Sequence, residues 1–231
     1  MYRSLNPEHI IHTIAQLRDR IHERFPGSGL SKVADELQQI SNEAVARSEW
    51  IARPLLPLRA ALASLVALIG VIILLALVNL NVSKLWESFS DFVQAVEAGI
   101  NDLVFVGVAI YFLATLEARI KRQRALKAIH ELRALAHIVD MHQLTKDPHV
   151  ILSPGPATRS SPKRSMTDFE LSRYLDYCSE MLSLIGKVAA LYVQRFDDPV
   201  ALSAVNEMED LTTGLSRKIS QKIMILNQGG K

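Results

Sequence analysis

The sequence predicts an all-α protein, a hairpin of two transmembrane helices set within a cytosolic bundle of charged, amphipathic helices. Three observations carry that expectation. Ala60 to Ser83 runs for 24 residues without a charge, and its first twenty are almost all Ala, Leu, Val and Ile. A second uncharged run of 14 residues, Leu103 to Leu116, follows an acidic amphipathic stretch. The rest of the 231-residue chain is sparse in Gly and Pro and repeats apolar residues every three or four positions, the period of a helix with one buried stripe.

The charges orient the hairpin. Arg47, Arg53 and Arg59 precede the first run, and Arg119, Lys121, Arg122, Arg124 and Lys127 follow the second, whereas the intervening loop carries Lys84 against Glu87, Asp91, Glu97 and Asp102. Lys/Arg bias in short flanks marks the cytoplasmic side. Both termini are therefore expected in the cytoplasm, with the protein in the inner (plasma) membrane. Residues 1–20 carry scattered charges and no apolar core of signal-peptide length, so the first span is expected to direct insertion without cleavage. Three parts follow: a cytosolic helix pair over 1–52, the hairpin over 58–118 with an external amphipathic segment at 84–100, and a cytosolic bundle over 119–231 holding a flexible loop at 147–166.

Asn6-Pro7 reads as a helix start, followed by Ile10, Ile14, Leu17, Ile21 and Phe25 on one face. Pro26-Gly27-Ser28-Gly29 ends this helix, and Leu30, Val33, Leu37, Ile40 and Ala44 repeat the stripe up to Trp50. Such a pair has too little interior to stand alone, so it is expected to pack on the C-terminal portion or on another subunit. Pro54 and Pro57 break the chain at the membrane surface, with Trp50, Arg53 and Arg59 as interfacial anchors.

In the first span Ala60, Ala63, Ala67 and Gly70 share a face on which another helix can approach closely. The external segment sets Leu85, Trp86, Phe89, Phe92, Val93, Val96 and Ile100 against Glu87, Ser88, Asp91 and Gln94, the pattern of a helix on the outer membrane face. Fourteen uncharged residues make roughly 21 Å of helix, short of the roughly 30 Å hydrocarbon layer, so the second span must recruit residues from Gly99 to Glu117. Gly107, Tyr111 and Thr115 lie on its least lipid-like side and are candidates to line a pore or an intersubunit seam. Asp91 and Glu97 are candidates for a cation-attracting ring in an assembly.

Val108 to Asp147 holds no Pro or Gly, so the second span is expected to continue as a stalk to about Lys146. Four prolines, Gly155 and several Ser and Thr then mark the loop. Thr167-Asp168-Phe169-Glu170 is a capping box, and Leu171, Leu175, Cys178, Leu182, Ile185, Ala189 and Tyr192 follow in four-three alternation, the clearest seam in the protein. Asp197-Asp198-Pro199 opens a last helix whose buried face is Val205, Met208, Leu215, Ile219 and Leu226.

Little of this composition points to chemistry. No Gly-rich phosphate cradle is present: the Pro26-Gly27-Ser28-Gly29 turn lacks a following Lys at useful spacing, and no strand precedes it. Metal-site spacings are absent, His9 and His12 have no third ligand, and the single Cys178 sits at a core spacing. Neither a cofactor nor a metal is expected. On the stalk His130, Arg133, His137 and Asp140 share a polar face, and the basic residues from Arg119 to Lys127 suit anionic headgroups. Arg124 and His130 also carry the loose Arg-to-His spacing of the HEPN superfamily of helical ribonucleases, which this stalk resembles over two residues of one helix. The resemblance implies RNA cleavage by Arg124 and His130. The polar residue usual after the Arg is here Ala125.

The leading expectation is a non-enzymatic, homo-oligomeric, channel-like assembly in the lipid bilayer. A membrane-anchored adaptor or sensor that recruits a cytosolic protein partner comes next, and a membrane-tethered ribonuclease third. A nucleic-acid partner is not expected.

Overall fold

The computed structural model describes residues 4–79, 89–148, 158–161 and 166–229, with Ala76, Leu77, Asn79, Phe89, Asp91 and Ala95 described by their backbone alone. Among these residues every regular element is a helix: α1 Pro7–Arg24, α2 Gly29–Ala52, α3 Leu56–Asn79, α4 Phe89–Leu144, α5 Asp168–Leu191 and α6 Pro199–Gly229.

Local chemistry sets the ends. Asn6 accepts a hydrogen bond from the Glu8 amide at 2.9 Å and Pro7 opens the first turn of α1. Gly27, at φ 67°, takes the left-handed conformation that the reversal into α2 needs. The Ser28 hydroxyl then caps α2 by accepting from the Ser31 amide at 3.1 Å. Thr167 and Glu170 form both halves of the capping box on α5. Asp198 starts α6 by accepting from the amides of Val200 and Ala201 at 3.1 and 2.9 Å.

The chain divides into two compact bodies. The first comprises residues 1–53 together with 122–231. Here the apolar stripes of α1, α2, α4, α5 and α6 close on one core, with Ile14, Leu37, Leu132, Leu182 and Ile219 all but sealed from solvent. The N-terminal helix pair is thus not a separate domain, because its stripe is completed by helices from the other end of the chain. Every residue of the seam from Leu171 to Tyr192 is buried, and so are Tyr174, Tyr177, Met181, Leu184 and Val188 beside it. α5 is therefore the central helix, covered on most of its circumference rather than along one stripe. At Gly186 an added Cβ would lie 3.3 Å from the Thr212 hydroxyl, so glycine allows the close approach of α5 and α6.

The second body comprises residues 54–121. Its two helices, α3 and the first part of α4, are long and apolar enough to cross a membrane. Their large side chains, Leu68, Leu74, Leu103 and Phe105 among them, are exposed. Glu117 ties the two together: it accepts from Arg59 at 2.7 Å and from the Leu55 amide at 3.3 Å, and pairs with Lys121 at 2.9 Å. The external helix expected at 84–100 is not a separate element from Phe89 onward. Residues 89–100 belong to α4, since no Pro interrupts them and a single Gly99 costs only about 1 kcal/mol in a helix. Residues 80–88 and most of the loop expected at 147–166 lie outside the described residues.

Candidate functional site

The structure separates the residues that sequence reasoning grouped together. In the second body Gly107 and Tyr111 are exposed along α4, and a Cβ built on Gly107 meets nothing within 4 Å. Tyr111 is 68% exposed. Thr115 turns its hydroxyl to the Phe112 carbonyl at 3.0 Å, so this polar group is already satisfied by its own helix. Glu97 is exposed, while nothing is described of the Asp91 side chain.

The basic cluster after the second apolar run divides three ways. Lys121 is buried and paired with Glu117. Arg122 forms a short, charge-assisted pair with Asp198 at 2.7 Å, joining α4 to the start of α6. Burial alone would push the Asp198 carboxyl up; the Arg122 guanidinium and the amides of Ala201 and Val200 outweigh it and hold the group below its ordinary value. Arg119 lies over the Phe112 ring at 4.8 Å and Arg124 over the Trp50 ring at 3.8 Å, with Lys127 exposed one turn further along α4.

Trp50, Arg124 and Lys127 share an open cleft of about 420 Å³ between α2 and α4 with Arg47, Ala128 and Glu131. Arg47 is committed there, donating to Glu131 and to Glu43 at 2.6 Å each. The Glu131 bond raises the Arg47 pKa against the opposing effect of burial. Behind this network burial pushes the Tyr192 phenol up to about 12. Arg124 and Lys127 make no ion pair among the described residues. The cleft thus offers two unpaired cations, an indole face and an apolar floor, which suits an anionic amphiphile.

The polar stalk face is not one site either. Arg133 donates to Glu207 of α6 at 2.8 Å, while His130 and His137 are exposed. His130 lies on the same helix as Arg124, whose guanidinium is stacked on Trp50. Asp140 accepts from Gln143 at 2.6 Å, and Lys222 of α6 donates to the Gln143 side chain at 2.6 Å and to its carbonyl at 2.9 Å. Burial depresses the Lys222 pKa, with the carboxylates of Asp147 and Asp140 opposing. Cys178 lies close by, fully enclosed; burial pushes its thiol up to about 12, so at neutral pH it is protonated and unreactive.

Sequence reading missed Glu117, Trp50, Glu131 and Gln143 as partners. Each lies at helical spacing from a residue that was singled out, but Arg59, Arg124, Arg47 and Lys222 meet them from helices remote in sequence. No cluster of His, Cys, Asp or Glu able to hold a metal occurs among the described residues. Comparison of the chain with known protein families, with curated proteins and with solved structures yields no match.

Proposed function

We propose that this protein is a membrane-anchored sensor or adaptor. In this reading α3 and the first part of α4 cross the inner membrane as a hairpin, both termini are cytoplasmic, and the helical bundle carries the working surface. The observation that supports it is the closure of the bundle. Its core uses residues from both ends of one chain, 1–53 and 122–231, and the apolar body is inserted between them. The seam from Leu171 to Tyr192 is filled by helices of the same chain. A bundle complete in one copy needs no oligomer to fold. The inserted hairpin has few polar side chains to line a conduction path, since the Thr115 hydroxyl is already bonded to its own helix.

Arg124 and Lys127 follow the last residue of the second apolar run by about two to three helical turns, the range in which anionic headgroups attract a cation by about 1 kcal/mol each. On this reading the cleft they share with Trp50 is the bundle's contact with the lipid surface.

Cysteine labelling tests the arrangement. Native Cys178 is buried and silent, so an impermeant thiol reagent reads only introduced cysteines. Gln94→Cys should react in intact spheroplasts, and Glu207→Cys only after permeabilisation. Reaction of both before permeabilisation would sink the hairpin.

One observation favours a second reading, a homo-oligomeric, channel-like assembly. The Gly107 side of α4 has no neighbour within 4 Å, and Gly70 of α3 is equally open. Mass measurement in detergent and solute flux through liposomes separate the two readings. A monomer without flux supports the sensor; an oligomer whose flux changes with Tyr111→Ala supports the channel.

A further inference from the structure

The Pro26-Gly27-Ser28-Gly29 turn fails as a phosphate cradle in sequence because no Lys follows it at useful spacing. In three dimensions a Lys arrives from the segment that follows α4. The start of α2 and the last turn of α4 enclose an open cleft of about 430 Å³, whose walls include Ser28, Gly29, His142, Thr145, Lys146 and Tyr174.

Four features of this cleft converge on an anion. Ser28 satisfies the amides of Ser31 and Lys32 through its hydroxyl and carbonyl, at 3.1 and 3.4 Å. The amides of Gly29 and Leu30, at the positive end of a 24-residue helix, keep no acceptor among the described residues. Lys146 stands 5.3 Å above the Tyr174 ring and has no carboxylate within ion-pair distance among the described residues. Tyr174 is only 4% exposed, yet its hydroxyl has no hydrogen-bond partner among the described residues. The Tyr174 side chain is thus nearly enclosed while its hydroxyl is left with a donor to spend, in a cleft that also holds an ammonium group outside any ion pair among the described residues.

The fourth feature is steric. The His142 imidazole packs so tightly on Gly29 that a Cβ there would collide with its Cε1. Glycine at this position lets the His142 ring close one side of the cleft while leaving the helix amides open. The Tyr174 ring is held in turn by Phe25, edge to face with centroids 5.4 Å apart. Met141 and Met166 complete an apolar wall.

We propose that this cleft binds a small organic phosphate, with the phosphoryl group on the amides of Gly29 and Leu30, Lys146 and the Tyr174 hydroxyl, and the organic part against the methionines and the tyrosine ring. The volume lies within the range of small-molecule sites. Burial also holds the Tyr174 phenol well above its ordinary value, so it remains a donor over the whole physiological range. The inference goes beyond the membrane-anchored reading and does not depend on it, because the residues involved belong to the bundle alone.

Isothermal titration of the full chain in detergent with phenyl phosphate, inorganic phosphate and phenol tests it. Phenyl phosphate should bind saturably, inorganic phosphate more weakly, and phenol weakest of all. Tyr174→Phe and Lys146→Gln should each weaken phenyl phosphate about tenfold, the loss expected of one charge-assisted hydrogen bond. Both variants should keep the wild-type helicity. Gly29→Ala should abolish binding, and Lys127→Gln, in the other cleft, should leave it unchanged. Absence of phenyl phosphate binding by the folded wild type at millimolar concentration would overturn the proposal, as would phenol binding as tightly as phenyl phosphate. Undiminished binding by Tyr174→Phe and Lys146→Gln together would place the anion elsewhere and overturn it equally.

Discussion

The two bodies of this protein are built from the same residues and treat them oppositely. In the bundle Leu132 is fully enclosed, whereas in the apolar body Leu103 is 72% exposed. Both sit on the same helix, α4. In water a Leu loses free energy of about 1.5–3 kcal/mol by being buried, and a chain that leaves so many exposed along two helices would aggregate. The contrast is therefore a statement about solvent. One stretch of α4 is written for a protein interior bounded by water, the other is long and apolar enough for hydrocarbon, and the change falls where Glu117, Arg119 and Lys121 bring in the first charges after the apolar run.

The largest expected effect breaks the bundle and spares the other body. Leu182→Asp puts an unpaired charge at the centre of α5 and should cost more than about 4 kcal/mol, enough to abolish folding. Circular dichroism and yield in detergent measure it, and normal helicity would mean that the seam is exposed. The matching change, Leu68→Asp in α3, should weaken insertion by about 3 kcal/mol while the bundle unfolds at its usual temperature.

A pair of equal truncations is gentler and more discriminating. Leu132→Ala should destabilise the bundle by about 3 kcal/mol, through lost transfer energy and a cavity. Leu103→Ala should change the stability of the detergent-solubilised protein by less than about 0.5 kcal/mol. If the two cost the same, Leu103 is covered by protein, and the channel-like oligomer gains over the sensor.

Smaller again is the joint between α4 and α6. Asp198→Ala removes the cap of α6 and the partner of Arg122, and should cost about 1–2 kcal/mol. The carboxyl of Asp198 is held below its ordinary value of 3.8. Its stabilisation is thus present in full above that value and lost as pH falls through the lower folded value. Chemical denaturation of wild type should weaken below about pH 4, more steeply than that of Asp198→Asn. Equal slopes would show that Asp198 is not the group responsible. The smallest effect belongs to Arg20 and Glu180, an exposed pair at 2.6 Å between α1 and α5. Arg20→Ala should shift stability by less than about 1 kcal/mol.

The helices and their faces were legible because period and caps are local signals. Asn6-Pro7, Ser28, the Thr167–Glu170 box and Asp198 all act at helix starts, and the stripes of α1, α2, α5 and α6 point to the core. What the sequence hides is which distant residue completes a pair. Arg124 meets Trp50, Arg122 meets Asp198 and Lys222 meets Gln143, each from another helix. The basic run after the second apolar stretch therefore reads as one cluster in sequence, and its members Arg119, Lys121, Arg122 and Arg124 prove to be split among an ion pair within α4, an ion pair to Asp198 and stacking on aromatic rings. The same limit conceals the Ser28–Gly29 cleft, whose Lys is separated from the turn by more than a hundred residues.

That the core joins the first 53 residues to the last hundred has a consequence in time. At a synthesis rate of about 5–20 residues per second, α1 and α2 emerge roughly ten to forty seconds before α6 is complete. Throughout that interval Ile10, Ile14, Leu17 and Leu37 have no permanent neighbour, while the uncharged apolar sequence that follows them is being made. A nascent chain in this state has two kinds of apolar surface to keep apart, and if α3 enters a membrane as proposed, slowed insertion would appear first as misfolding of the bundle.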